Sequence, residues 1–325
     1  MTLPRHARLF EEARPRLLGL AYRLLGSSAD AEDAVQDTYM RWLRADRKAI
    51  KVPAAWLTTA CTNRCLDILK SGARQRMDYV GPWLPEPLQT VTQDTAEEAH
   101  QLADTLSTAF LLLLQRLTAK ERAAYLLREI FSQPYPLVAE TLGLTEPACR
   151  QLVARARRHI GEERVRARPE EMRQMELLRA FEAALTTGST TGLDRLLSAD
   201  IQLHADGGGK VIAARRILHG PERVLPFIER ALAPNWREFT LTPCQMNGLA
   251  GILVTKGSGV IAAVSLDWDG AGTLSRIYIT RNPDKLQRLR RRYGSLGKAG
   301  LIELEEICAD TMPAAKGMGR NRHIR

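Results

Sequence analysis

Arg150, Gln151, Arg155, Arg157 and Arg158 crowd into nine positions of the chain, and together they could grip a polyanion. From Pro147 to Gly161 there are four arginines and no acid. A guanidinium fork suits both phosphate oxygens and the major-groove edge of guanine. A second basic run, KSGARQR over residues 70–76, holds three positive charges and no acid. Upstream of it Thr59, Asn63, Asp67 and Lys70 fall on one helical face, a mixture of cations and polar groups that suits phosphates and unpaired bases. A third group, Asp200, His204, Asp206 and Asp267, stands at the ends of alternating apolar runs, where a carboxylate or imidazole could do acid–base work. Strand-end carboxylates more often cap turns, and no second titratable partner is placed to shift a pKa, so no catalytic residue is assigned. The five cysteines are an odd number without a Cys-x2-Cys pair and histidines at ligand spacing. Cys61 and Cys65, four apart on an apolar stripe, read as buried thiols, and neither a metal nor a cofactor is expected.

The elements that must position these groups divide the chain. At 325 residues it is long enough for about two domains with their own cores. Its 45% hydrophobic and 26% charged content is that of a globular protein. The first ten residues lack the unbroken apolar core of a signal peptide, and no window suits a membrane span, so a cytoplasmic location without membrane contact is expected. The net charge of +10 favours a polyanionic partner.

Leu9, Ala13, Leu17, Leu20, Ala21 and Leu24 recur at helical spacing, and Gly26 with Ser27 and Ser28 reads as a stop and then a cap. In the next helix Asp30, Glu32 and Asp33 occupy the first turn, Ala31, Ala34, Val35, Thr38 and Trp42 the apolar stripe, and Asp33 and Asp37 the outward face. Pro53 opens a third helix with Leu57, Cys61, Cys65 and Ile68 inward. Pro82, Pro85 and Pro87 then impose an extended path, in which Trp83 and Leu84 need a surface to cover them. Helices resume near Ala103, and Thr118 with Glu121 forms a capping box. In PYPLVAETLGLTEPACRQLVARARRHI a short helix ends at Leu142, Gly143 permits a tight turn and Thr145 caps a longer helix. Ala139, Val138, Leu144, Cys149 and Leu152 close the core between the two, which is a helix-turn-helix pattern.

Two helical modules joined by a Pro-rich linker, the first ending in a basic helix and the second in a helix-turn-helix, resemble an extracytoplasmic-function sigma factor of the sigma-70 family. GSSADAEDAVQDTYMRWLR resembles the region 2 helix that docks on core RNA polymerase. PAAWLTTACTNRCLDILKSGARQR resembles the element that melts and reads the −10 box, and residues 103–168 resemble region 4, which reads the −35 box. The resemblance implies core RNA polymerase and promoter DNA as partners and no enzymatic activity. Carried over by position, Asp33, Asp37 and Trp42 would bind the polymerase. Asn63, Arg64, Asp67, Lys70, Arg74 and Arg76 would line the −10 element, and Arg150, Gln151, Arg155, Arg157 and Arg158 would make the −35 contacts.

Beyond Pro169 a new unit begins. Met175, Leu178, Phe181, Ala184 and Leu185 form an amphipathic helix and TTGLDRLLSAD a shorter one. Alternating runs follow at 201–204, 211–214, 239–246, 251–256, 259–267 and 274–280, with GPERVLPFIERAL as a helix among them. This α+β order resembles a SnoaL-like cone in which a curved sheet wraps a helix. The expected organisation is therefore multidomain: two all-α sigma domains, a region 2 bundle at 1–77 and a region 4 helix-turn-helix at 103–168, joined by a linker at 78–102. A SnoaL-like domain at 172–290 and a flexible tail at 291–325 complete it. Some relatives of that fold are enzymes, so a small-molecule isomerase or cyclase, or a ligand sensor, fused to a DNA-binding half is the alternative function.

A subgroup of these sigma factors with the same extension is marked by a WLPEP linker, a DGGGK turn and an NPDKL segment. All three are present, as Trp83, Leu84 and Pro85 with the two residues after them, Asp206, Gly207, Gly208, Gly209 and Lys210, and Asn282, Pro283, Asp284, Lys285 and Leu286. In the subgroup the extension acts in cis, both aiding polymerase engagement and restraining it, in place of a separate anti-sigma factor. DGGGK lacks the Ser or Thr and the helix that a P-loop needs after its lysine. Val-Ile-Ala-Ala follows instead, so the segment reads as a hairpin turn with Asp206 and Lys210 exposed at its rim.

Overall fold

The computed structural model describes residues 4–46, 48–71, 79–88, 106–161 and 171–294. Arg74, Arg76 and the tail beyond residue 294 lie outside the described residues. The first three helices are α1 (Arg5–Leu25), α2 (Ser28–Arg44) and α3 (Pro53–Ser71). The stop and cap fall where the sequence places them. Gly26 takes a left-handed φ of 72° and the Ser27 hydroxyl accepts from the Asp30 N–H.

Helices α4 (Thr108–Gln115), α5 (Ala119–Tyr125), α6 (Tyr135–Leu142) and α7 (Glu146–Ile160) form the second helical set. The Thr118–Glu121 capping box closes on α5 in both directions, and a wider π turn, Leu126–Ile130, extends it. Gly143 turns α6 into α7 with a φ of 62°, and Thr145 caps α7 through the Ala148 N–H. Val138, Cys149 and Val153 are buried between the two helices. The two sets are not separate bodies on a string. One continuous core runs from Phe10 through Leu57 and Leu114 to Ile160, and the buried Arg122 of α5 donates to the Leu24 carbonyl of α1.

The C-terminal part begins with α8 (Glu171–Thr187) and α9 (Thr191–Asp194). Its strands are β1 (Leu197–Asp206), β2 (Leu218–His219), β3 (Thr240–Met246), β4 (Leu249–Lys256), β5 (Gly259–Trp268) and β6 (Leu274–Thr280). Between β2 and β3 stand α10 (Pro221–Phe227), a π turn (Ile228–Leu232) and α11 (Ala233–Trp236), and α12 (Gln287–Gly294) closes the described chain. The sheet order is β2-β1-β6-β5-β4-β3. β1 runs parallel to β6 in the register Leu203↔Ile277, and the other pairings are antiparallel. One face packs on Phe181, Val224 and Trp236 of the helices. The other carries a small cluster in which Leu286 and Leu289 cover Leu253 and Val260.

One expected strand is absent. Residues 211–214 do not pair. Ile212 is 90% exposed and the sheet edge is instead completed by the two-residue β2. The β-branched pair Val211–Ile212 misled because the strand signal reports burial on a pleated face, and both of these side chains are exposed.

Candidate nucleic-acid interface and interdomain latch

On α7 the outward residues Arg150, Gln151, Arg155, Arg157 and Arg158 are exposed. Three arginines are already held within the second helical set, one inside the helix-turn-helix and two against α5 and its π turn. Arg150 lies over the Tyr135 ring and 3.3 Å from Glu146, Arg155 is 3.6 Å from Glu121, and Arg157 makes two bonds to Glu129. Those bonds, first, and the charge of Glu129 push the Arg157 guanidinium up from its ordinary value. Arg158 and Gln151 are exposed on the same face without an ion pair or side-chain hydrogen bond among the described residues.

On α3, Asn63 is half-buried, while Asp67 and Lys70 pair at 3.5 Å on the exposed face. Arg64 reaches α2, where its Nε donates to Asp37 at 2.6 Å. A residue expected to meet polymerase and one expected to meet DNA are thus tied to each other. Asp33 is exposed. Trp42, expected as a polymerase contact, is only 1% exposed, and its indole N–H donates to the His6 carbonyl. It belongs to the apolar stripe that seats α2, so its surface is not available to a partner. The same face of α3, at its Thr59 end, meets the helix-turn-helix, with the Thr59 hydroxyl 2.8 Å from that of Thr141 on α6.

The three short segments converge on one carboxylate. Asp206 ends β1 and is fully buried rather than exposed at a rim. Its oxygens accept from the Tyr79 hydroxyl at 2.5 Å, the Leu84 N–H at 2.9 Å, the Lys285 ammonium at 2.7 Å and the Gly208 N–H at 3.0 Å. The expectation of an exposed rim failed because the turn folds inward onto the linker, and hydrogen-bond partners from three segments replace water. Lys285 also donates to the Leu84 carbonyl and lies over the rings of Trp83 and Tyr79. Asn282 is buried and donates to the Tyr79 hydroxyl at 2.8 Å. Burial, with the bond to Asp206 second, raises the Tyr79 phenol above its ordinary range. Lys210 is the part of the turn that stays half-exposed, paired with Asp284. Gly208 has a φ of 59°, and a Cβ there would overlap the Asn282 amide. Pro85 and Leu84 are buried, as residues of that kind in an extended segment require. Pro283 is half-buried beside Asn282, and Leu286 enters the small cluster behind the sheet.

The linker is held from the other side by the first helices. The Glu86 carboxylate accepts from the Ser28 N–H at 2.5 Å and the Ala29 N–H at 3.4 Å, an acid on the positive end of α2. Tyr22 donates to the Glu86 carbonyl and accepts from Asn247, which also pairs with Leu88 through both its backbone and side chain. Arg288 of α12 bridges to Glu32 of α2 at 2.8 Å. Sequence reasoning singled out Glu86 only as part of WLPEP, and missed Tyr22, Tyr79 and Asn247 as functional residues. Asn247–Gly248 does carry a hairpin-turn signal, but nothing in it names the partner.

Of the acid–base candidates, His204 contacts Gln202 and the Tyr278 ring. Burial, then Arg276 and His219, lower its pKa to about 4. Asp267 pairs with Arg276 at 3.5 Å. A cavity of about 1010 Å³ opens between α10, α11 and the 207–215 segment, and none of Asp200, His204, Asp206 and Asp267 lines it.

Residues 9–75 match the family model described as Sigma-70 region 2, and residues 107–160 that of Sigma-70, region 4. The chain is 37% identical over 221 residues to "ECF RNA polymerase sigma factor SigJ" of Mycobacterium tuberculosis, covering 67% of this chain and 70% of the relative. It is 30% identical over 283 residues to "Probable ECF RNA polymerase sigma factor SigI" of the same organism, covering 86% of this chain and 94% of the relative. Its fold is similar to the crystal structure of the M. tuberculosis extracytoplasmic function sigma factor SigJ, with a TM-score of 0.66 and 30% identity over 86% of this chain and 97% of that one. With both sigma-70 modules in place and a fold shared almost end to end with such a relative, the chain belongs to the extracytoplasmic-function RNA polymerase sigma factors.

Proposed function

We propose that this sigma factor, which directs RNA polymerase to its promoters, is restrained in cis by its C-terminal domain, a SnoaL-like module occupying about residues 172–290. The observation that carries the reading is the contact of α3 with α6, in which Thr59 meets Thr141. The −10 and −35 elements lie about 25 base pairs apart, or roughly 85 Å at 3.4 Å per base pair. Two elements in direct contact do not read both boxes at once, so promoter binding requires them to part. The latch around Asp206 fixes the linker that joins them, and Arg288 ties the C-terminal helix to α2.

In this reading Asp33 and Asp37 meet core polymerase, with Asp37 released from Arg64 when α2 docks. Asn63, Arg64, Asp67, Lys70 and the arginines at 74 and 76 serve the −10 element, and Arg150, Gln151, Arg155, Arg157 and Arg158 the −35 box. The restraint is internal and stands in place of a separate anti-sigma factor. The placement of His204 and Asp267 away from the cavity favours regulation over catalysis in the C-terminal domain.

Reconstituted run-off transcription tests this. The full chain with core polymerase initiates from a cognate promoter, and truncations just after Asp284 and just before Gln174 change output in different ways. Failure to bind core, or identical output from both truncations, overturns the reading. Turnover of a small molecule surviving deletion of residues 1–168 would favour the enzymatic alternative.

A further inference from the structure

We infer that the cavity beside the latch is a binding site for an organic anion with an apolar body, and that its occupant reports to the latch. The second part rests on the cis-restraint reading above; the first does not. The cavity holds about 1010 Å³, at the top of the range for small-molecule sites of about 300–1,000 Å³.

Its walls divide by chemistry. Phe227, Leu232, Trp236, Phe239 and Ile279 supply apolar and aromatic surface. Lys210, Arg215 and Arg281 supply three cations, and no acid stands among the lining residues. Lys210 is balanced by Asp284, whereas Arg215 and Arg281 have no ion-pair partner among the described residues. One Arg281 nitrogen donates to the Ile212 carbonyl, and its Nε is buried without a hydrogen bond among the described residues. Burial lowers its pKa from the ordinary value, a cost that a bound anion would offset. The indole N–H of Trp236, in a residue 1% exposed, is likewise unpartnered. Buried donors without partners are uncommon in folded proteins and mark places where a ligand can complete the bonding. At the edge, Val211 is 37% and Ile212 90% exposed, an apolar surface with no covering element among the described residues.

The cavity and the latch share parts. Gly207, Gly209 and Lys210 of the turn and Val80 and Gly81 of the linker line the one and build the other. The Arg281 backbone N–H donates to the Asp206 carbonyl at 2.8 Å. A ligand that draws on the Arg281 guanidinium therefore pulls on the residue next to Asn282.

Dodecanoate is a suitable probe, with dodecyltrimethylammonium as the same tail of opposite charge and acetate as a head without a tail. Calorimetric titration of the full chain should give saturable one-to-one binding of dodecanoate, at least tenfold weaker binding of the cation and none of acetate. Ala231→Trp fills the cavity and should abolish binding while thermal unfolding remains cooperative. Arg281→Gln should weaken it at least tenfold. Equal affinity for the cation, no saturable binding by the wild-type chain, or unchanged binding in Ala231→Trp would overturn the site. Run-off transcription is read in parallel. Dodecanoate should alter initiation by the wild-type chain and not by Ala231→Trp, and saturable binding without that effect overturns the link to the latch. Failure of the wild-type chain to initiate at all counts against the cis-restrained sigma reading and leaves the binding result to stand by itself.

Discussion

The ammonium of Lys285 lies 2.7 Å from a carboxylate oxygen of Asp206 that solvent does not reach. Lys285 is itself 14% exposed at the side chain, and the pair is completed by bonds from Tyr79 and Leu84. Removing one partner of a buried pair leaves an unpaired charge, at a cost of about 3–5 kcal/mol. Lys285→Met should therefore destabilise the chain by about that amount in urea unfolding, and expose residues 79–88 to limited proteolysis. The double variant Asp206→Leu, Lys285→Met should recover part of the loss, because both charges are gone.

Gly208 offers a milder perturbation of the same contact. Its φ of 59° and the Asn282 amide facing it leave no room for a side chain. Gly208→Ala should cost about 1–2 kcal/mol for the left-handed backbone alone, with further loss from displacing Asn282. Gly192→Ala, where a Cβ meets nothing within 4 Å, serves as the control and should change chemical unfolding little.

Acid should weaken the C-terminal domain through His204. Its pKa is lowered from 6.5 to about 4, chiefly by burial. Between those values the unfolded chain binds the proton that the folded chain excludes. The contribution is thus present in full above about pH 6.5 and is lost as pH falls toward 4, to a total of roughly 3 kcal/mol. His204→Gln should flatten the pH dependence of the unfolding free energy in that window.

On α7, Arg158 and Arg157 should separate. Arg157 is held by two bonds to Glu129, while Arg158 faces outward. Arg158→Ala should weaken binding to a −35 duplex by about 1–3 kcal/mol if it reads a base, or reduce the salt slope by about one if it meets phosphate. Arg157→Ala should cost less, since its charge is already partly balanced. Fluorescence anisotropy over a salt series measures both.

Much of this was legible in the sequence where local rules act. Ser27, Thr118, Gly143 and Thr145 mark helix ends through short-range bonds, and the structure keeps each of them. The apolar stripes of α3 and α7 likewise face inward as their spacing requires. Reading failed where distant segments meet. Asp206 looks like an ordinary turn acid until residues 79, 84 and 285 close over it. Val211 and Ile212 look like a strand because their propensity carries no information about whether a sheet edge is free to receive them. Trp42 shows the opposite error, a residue assigned to a partner by its position in a motif although its spacing already placed it inward.

Under the proposed cis restraint, α3 and α6 must part before promoter DNA is bound. Thr59 and Thr141 are close enough, at 2.8 Å between hydroxyls, for cysteines at both positions to be joined. The measurement is run-off transcription by Thr59→Cys, Thr141→Cys with core polymerase, oxidised and then reduced. The oxidised chain should bind core but fail to initiate, and reduction should restore output to the wild-type level. Equal initiation from the oxidised and reduced chains would contradict the account.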